Sequence, residues 1–216
     1  MFVNWWERMS EESYDDVVEK LAQEGESAVA ELFSQYRVQL EQTLHFRMDP
    51  RLLGRVDAND VLQEAYLNAA KRLPEYLKAP NVPPFIWIRS LTLNVLIDTH
   101  RRHLGAQRRD VRQQQSLQQG SPMTSQIVVR ELIGQLTSPS QAAMRTEMAA
   151  LVEAAIEEMD EIDREVLVLR HFEQLTNQQV ADVLGIKKAA ASNRYVRALG
   201  RLREALSEFE SDPNNE

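Results

Sequence analysis

Apolar residues along this chain return every three or four positions, the period of helices that bury one face. Tyr14 to Leu21 reads as a short acidic helix, halted near Gly25. Ala28, Leu32, Phe33, Tyr36, Leu40 and Leu44 predict a longer helix from about Ser27 to Phe46. Asp57 opens the next helix, with core positions Leu62, Ala65, Tyr66, Ala69 and Leu73. It is expected to stop before Pro74, which cannot donate to the helical ladder. A turn at Pro80–Pro84 leads into a strongly apolar helix, Phe85 to about Leu104, carrying Phe85, Trp87, Ile88, Leu91, Val95 and Leu96. Periodicity then fades until Gln141. Beyond it, Met144, Met148, Leu151, Val152, Ala155 and Met159 line one helix, and Val166, Leu167, Leu169 and Phe172 line another.

The last apolar pattern, from Leu175 to Arg203, breaks in the middle. Thr176 with Gln179 three residues on is a capping box, and Val180, Ala181, Val183 and Leu184 give the helix an apolar side. Gly185 stops it, and Ile186 fills the corner before a second helix. That second helix is expected to bury Ala191, Tyr195, Ala198, Leu199 and Leu202. Its opposite pole carries Ala189, Asn193, Val196, Arg197 and Gly200, and its flanks Lys188, Ser192, Arg194, Arg201 and Arg203. Residues 186–203 hold six Lys or Arg and no Asp or Glu. A helix-turn-helix with small residues in front and cations at its sides suits a major groove. The contacts are expected from Lys187, Lys188, Ala190, Ser192, Asn193, Arg194, Arg197 and Arg201. Asn193 and Arg197 are assigned to base edges, and Arg201 to phosphate.

Two polar features interrupt the apolar faces upstream. On the 57–73 helix, Asp60, Glu64, Leu67 and Lys71 form a stripe opposite the core, with Gln63 beside it. An exposed Leu among carboxylates fits a protein surface that is itself basic, although isolated exposed Leu residues are common. The apolar helix ends in Asp98, His100, Arg101, Arg102 and His103. That end either projects a DNA-contacting tip or sets cations against the helix dipole.

These patterns predict an all-α protein of two small helical domains joined by a flexible linker, the second a four-helix domain ending in the helix-turn-helix. The divisions are an acidic extension at 1–26, a first domain at 27–104, a Gln-rich linker at 105–140, a second domain at 141–206 and an acidic tail at 207–216. One short helix is expected inside the linker at 127–136. Trp5 and Trp6 lie in the extension, either tucked against the body or docking a partner.

Composition narrows the function. The chain has no Cys, which excludes a disulfide framework, a thiolate metal site and a Cys nucleophile. Its four His (45, 100, 103 and 171) are scattered, and neither a phosphate-binding Gly loop nor a nucleophile–base spacing occurs. No enzyme, cofactor or metal site is expected. No apolar run approaches the ~18 residues of a membrane span, so a cytoplasmic protein is expected. Net charge is −8, yet residues 27–104 carry 10 basic against 8 acidic side chains. An acidic chain with local basic patches should hold DNA weakly by itself and need a partner that supplies positive surface.

Asp60-Val-Leu-Gln-Glu-Ala-Tyr-Leu67, Phe85-Ile-Trp-Ile88 with Asn94, Asp98 and Arg101-Arg102, and the 175–203 segment together resemble the bacterial RNA polymerase sigma factors of the extracytoplasmic-function group. The similarity covers roughly 27–104 and 141–206. It implies transcription initiation: Asp60, Gln63, Glu64 and Leu67 docking the β′ clamp coiled coil of core RNA polymerase, and Asn94, Asp98, Arg101 and Arg102 at the minus-ten element of promoter DNA. The helix-turn-helix would read the minus-thirty-five element. An anti-sigma protein is a further partner that the resemblance leaves open. Ser90 and Leu93 stand where many members carry basic residues, Gln179 replaces the usual Glu, and Lys187-Lys188 replace the usual Ser-Pro. A one-component regulator is the alternative; it would share the helix-turn-helix but bind DNA without polymerase.

Overall fold

The computed structural model describes residues 14–52, 54–104 and 142–210, and every regular element among them is helical. The first half holds α1 (Tyr14–Glu24), α2 (Glu26–Gln35), α3 (Arg37–Arg47), α4 (Ala58–Lys78) and α5 (Pro84–Leu104). The second holds α6 (Ala142–Glu157), α7 (Glu161–Leu167), α8 (Asn177–Leu184) and α9 (Lys188–Glu210). Trp5, Trp6, the 105–140 segment with its predicted helix, and the tail from 211 lie outside the described residues. No described helix is long and apolar enough to cross a membrane.

Helices α4 and α5 form the antiparallel frame of the first half. Tyr76 stacks on Trp87 at 4.3 Å near the turn, and its hydroxyl donates to the Val82 carbonyl at 2.7 Å. Arg102 meets Glu64 at the far end. Contrary to expectation, α4 continues through Pro74 to Lys78. The missing N–H costs one ladder bond, but the extra turn buries Tyr76 and brings it onto Trp87. Asp57 caps the start of α4 by accepting from the Asn59 amide at 2.8 Å. Helix α5 is buried on nearly all sides, and Leu93 is part of the core. That burial explains the missing cation: a basic residue there would sit in apolar packing.

The expected single helix over 27–46 is two, meeting at Tyr36. Backbone bonding continues across the joint, since the Tyr36 amide donates to Leu32 and its carbonyl accepts from Leu40. The bend lets the Tyr36 ring pack on Phe85 at 4.6 Å.

The two halves share one apolar core. Leu40, Leu44, Ile88 and Leu96 cluster with Val166, Leu169, Leu175, Val180 and Ala181. A buried ionic network crosses the same boundary. Glu173 accepts from Arg47 Nε at 2.9 Å, from Arg89 Nη2 at 2.8 Å and from the Thr43 hydroxyl at 2.8 Å. Arg47 also pairs with Glu165. All four charged side chains are within a few per cent of complete burial. Burial alone would raise the Glu173 carboxyl, but the Arg89 and Arg47 charges pull it down to about 2. Glu165 moves the other way: burial outweighs its Arg47 partner, and Glu173 repels it.

Local backbone geometry makes this network possible. Helix α7 passes into a π turn, Val168–Phe172, in which the Glu173 amide reaches back five residues to Val168. Gln174 then takes a positive φ of 56°, and the Leu175 amide closes on Leu169. The wide turn and the reversal bring Glu173 inward.

Removing Glu173 leaves two buried guanidiniums without their shared acceptor. Glu173→Ala should destabilise the chain by about 3–5 kcal/mol, read as a fall in the urea midpoint. The native Glu173 pKa lies below its ordinary value of 4.5, so this stabilisation should be complete above that value. It should be lost as pH falls toward about 2, and urea titrations across that range measure it.

Candidate nucleic-acid interface

The helix-turn-helix forms from its local signals. Thr176 Oγ1 accepts from the Gln179 amide at 3.2 Å, and Gln179 Oε1 accepts from the Thr176 amide at 2.8 Å, completing the capping box. Gln therefore serves where a Glu is usual. Gly185 sits at φ 64°, ψ 32°, a left-handed position that a side chain would strain, and the Ile186 amide returns to Ala181 at 3.0 Å. Asn177 Nδ2 reaches Ser192 Oγ at 3.4 Å, fixing one helix against the other.

Helix α9 presents the expected pole: Ala189, Asn193, Val196, Arg197 and Gly200 are all exposed. Its inner face holds Ala191, Ala198 and Leu202. Leu199, expected in that seam, is 38% exposed instead. Ala198 is fully buried at this level, and Leu199 lies on the rim. Lys187, Lys188 and Arg203 are exposed at the flanks, whereas Ala190, Ser192 and Arg201 are partly covered. The Ser192 hydroxyl faces Asn177, and Arg201 Nη1 donates to the Glu158 carbonyl at 2.9 Å beside the end of α6.

Arg197 of the pole and Arg194 of the flank are not free charges. Asp163, in α7, is 1% exposed and receives Arg197 Nε and Nη2 at 2.6 Å each. Arg194 Nη1 joins it at 2.6 Å and reaches Asp160 at 3.2 Å. Burial pushes the Asp163 carboxyl up, but the hydrogen bonds and charges of Arg197 and Arg194 prevail and hold it below the ordinary value. Asp160 also caps α7 through the Ile162 amide. These acids are not legible from the local pattern, because the six cations of 186–203 have none among them and their partners lie about 30 residues upstream.

In the first half, Asp60, Gln63, Glu64 and Leu67 are exposed on α4, and Leu67 is 47% accessible. Asp98, Arg101 and Arg102 are exposed on the last turns of α5, and Asn94 is half-buried. The Arg102–Glu64 pair at 3.1 Å brings these two groups side by side. Arg101 lies 3.4 Å from Asp98, and Arg102 Nη2 also donates to Thr99 Oγ1. His100 turns inward, where its Nε2 accepts from the Asp49 amide at 3.3 Å and burial lowers its pKa. At this basic end Arg102 Nε lies 3.4 Å from the Asp98 carbonyl within the helix, while the Arg101 side chain is 59% exposed.

Sequence reasoning passed over Arg47, Arg89, Glu165 and Glu173. Arg89 did carry a signal. It shares a helical face with Phe85, Ile88, Thr92 and Leu96, and a charge on a buried stripe requires a buried partner.

Comparison with known proteins finds several similar chains. Residues 149–202 match the family model described as Sigma-70, region 4. A protein of Xanthomonas campestris pv. campestris named "Probable RNA polymerase sigma factor RfaY" is 27% identical over 71% of this chain. The chain spans only 35% of that relative's length. The RNA polymerase sigma-H factor of Pseudomonas aeruginosa is 25% identical over 69% of this chain and 73% of its own. The ECF RNA polymerase sigma factor SigW of Bacillus subtilis is 23% identical over 85% and 91% respectively. A solved structure of CnrH in complex with the cytosolic domain of CnrY covers 89% of this chain and 96% of that chain, with 21% identity and a TM-score of 0.47.

The capping box can be tested directly. Thr176→Ala should remove about 1 kcal/mol and lower Tm by roughly 2–4 °C, measured by circular dichroism.

Proposed function

We propose that this chain is an RNA polymerase sigma factor of the extracytoplasmic-function group, which binds core RNA polymerase and directs it to promoters. The observation that carries the reading is the pairing of two different exposed surfaces on one rigid hairpin. The α4 stripe offers carboxylates around Leu67, chemistry suited to a basic protein surface. The end of α5 beside it offers Arg101 and Arg102 to DNA. Asp60, Gln63, Glu64 and Leu67 dock the β′ clamp coiled coil, and Asn94, Asp98, Arg101 and Arg102 meet the minus-ten element.

The second half reads the upstream element through α9. Asn193 and Arg197 face the major groove, and Lys187, Lys188 and Arg203 meet phosphate. Arg201 donates to the Glu158 carbonyl and contributes to phosphate binding less directly than sequence position suggests. Polymerase supplies the catalysis. It also supplies positive field, because net charge is −8 and two recognition-helix arginines are already neutralised.

Glu64→Lys tests the docking stripe. Core-polymerase affinity in a titration should fall at least about tenfold, with the folded circular dichroism spectrum retained, since Glu64 is half-exposed. Arg102→Ala is the control: it also breaks the Glu64 pair but leaves the docking carboxylate in place. Unchanged polymerase affinity in Glu64→Lys would sink the docking assignment. A second measurement addresses charge: the free chain should shift promoter duplex weakly at physiological salt, and the reconstituted holoenzyme tightly. Equal, sequence-specific shifts by both would favour a regulator acting without polymerase.

A further inference from the structure

We propose that Asp163 is a positioning residue for base reading: it fixes the Arg197 guanidinium so that its outer edge reads one base pair of the upstream element. The inference rests on the promoter-reading function proposed above.

The contact is side-on. Arg197 Nε donates to one carboxylate oxygen of Asp163 and Nη2 to the other, both at 2.6 Å. This uses Nε–H and one hydrogen of Nη2. The opposite edge, Nη1 with the second Nη2 hydrogen, keeps two parallel donors, the set that matches guanine O6 and N7. The Arg197 side chain remains 53% exposed at the outward pole beside Asn193. A long, flexible side chain is thereby held in one orientation before any DNA arrives. Pre-ordering of this kind lowers the entropy lost on binding.

Asp163 is 1% exposed in a seven-residue helix whose other inward positions are Glu165, Val166 and Leu167. A buried carboxylate there suffers a desolvation penalty that an apolar side chain would avoid. Two guanidiniums offset that penalty. Arg194 covers the other side, shared between Asp163 and Asp160, and is 28% exposed, so it has the poorer access to bases. Two carboxylates balance two guanidiniums, so the pole reads bases without adding net charge for non-specific attraction. This division reverses the simple expectation that more exposed cations on a recognition helix give better recognition.

The test uses full-length chain assembled with core polymerase, and selection from a duplex library randomised over the upstream element. Asp163→Asn keeps side-chain size and removes the charge. Preference at one base pair should fall about tenfold, with preferences elsewhere retained. The salt slope of binding should steepen by about one charge, because one guanidinium is released to phosphate. Arg197→Lys keeps the charge and loses the fork. It should erase preference at the same base pair with an unchanged salt slope, and the retained charge still faces the buried Asp163 carboxylate. The proposal is overturned if Asp163→Asn keeps the preference that Arg197→Lys erases. It is equally overturned if Asp163→Asn flattens all positions alike while lowering Tm, the signature of a fold residue. Enrichment of no upstream sequence by the wild-type holoenzyme would instead refute promoter reading itself, and this proposal with it.

Discussion

A fully buried carboxylate must be met by charge, and Glu173 sets that condition for the whole molecule. Its two oxygens receive Arg47, Arg89 and Thr43, drawn from α3 and α5 of the first half. Glu165 completes a set of two acids and two guanidiniums that is neutral as a unit. Such a set adds little net stability compared with an apolar core of the same shape, but it tolerates almost no alternative arrangement. Each guanidinium demands its acceptor at a fixed angle. The π turn at Val168–Phe172 and the left-handed Gln174 are the backbone geometry that satisfies the demand. The network's near-complete burial excludes the water that would weaken it.

This boundary determines which surfaces stay outside. The halves meet through α3, α5, the π turn and α8, so the helices that carry candidate contacts turn outward. On α4 the exposed carboxylates and Leu67 face away from the core, next to the basic end of α5. On α9 the small and polar pole remains open, while Ala191 and Ala198 let neighbouring helices approach closely. The network and the surfaces are thus two results of one packing arrangement.

Charge is distributed by the same economy. Counted along the sequence, 186–203 is purely basic, and counted in space it is not. Asp160 and Asp163 face Arg194 and Arg197, and Glu158 offers its carbonyl to Arg201. Lys187, Lys188 and Arg203, which have no ion pair among the described residues, are exposed at the flanks. In the proposed function, this arrangement lets an acidic chain carry a DNA-reading helix and leaves sequence-independent attraction to a partner.

Local physics was legible in the sequence, and distant pairing was not. The caps at Asp57 and Thr176, the stop at Gly185, the exposed α4 stripe and most of the α9 pole depend on residues within about one turn of each other. Their spacing alone determined them. Pro74 and Tyr36 were decided by tertiary contacts: stacking on Trp87 carries α4 past a proline, and packing on Phe85 accompanies the bend between α2 and α3. Leu199 lies at the rim while the neighbouring Ala198 is fully buried. The buried ionic network joins residues 84 to 130 positions apart, and Asp163 meets Arg197 across 34. No helical period links such residues, since the energy that pairs them exists only once packing has removed water from both. The sequence alone determined the caps at Asp57 and Thr176, the stop at Gly185 and most of the apolar faces. Only the tertiary structure decided which charges would be buried together, because desolvation is a property of the assembled core.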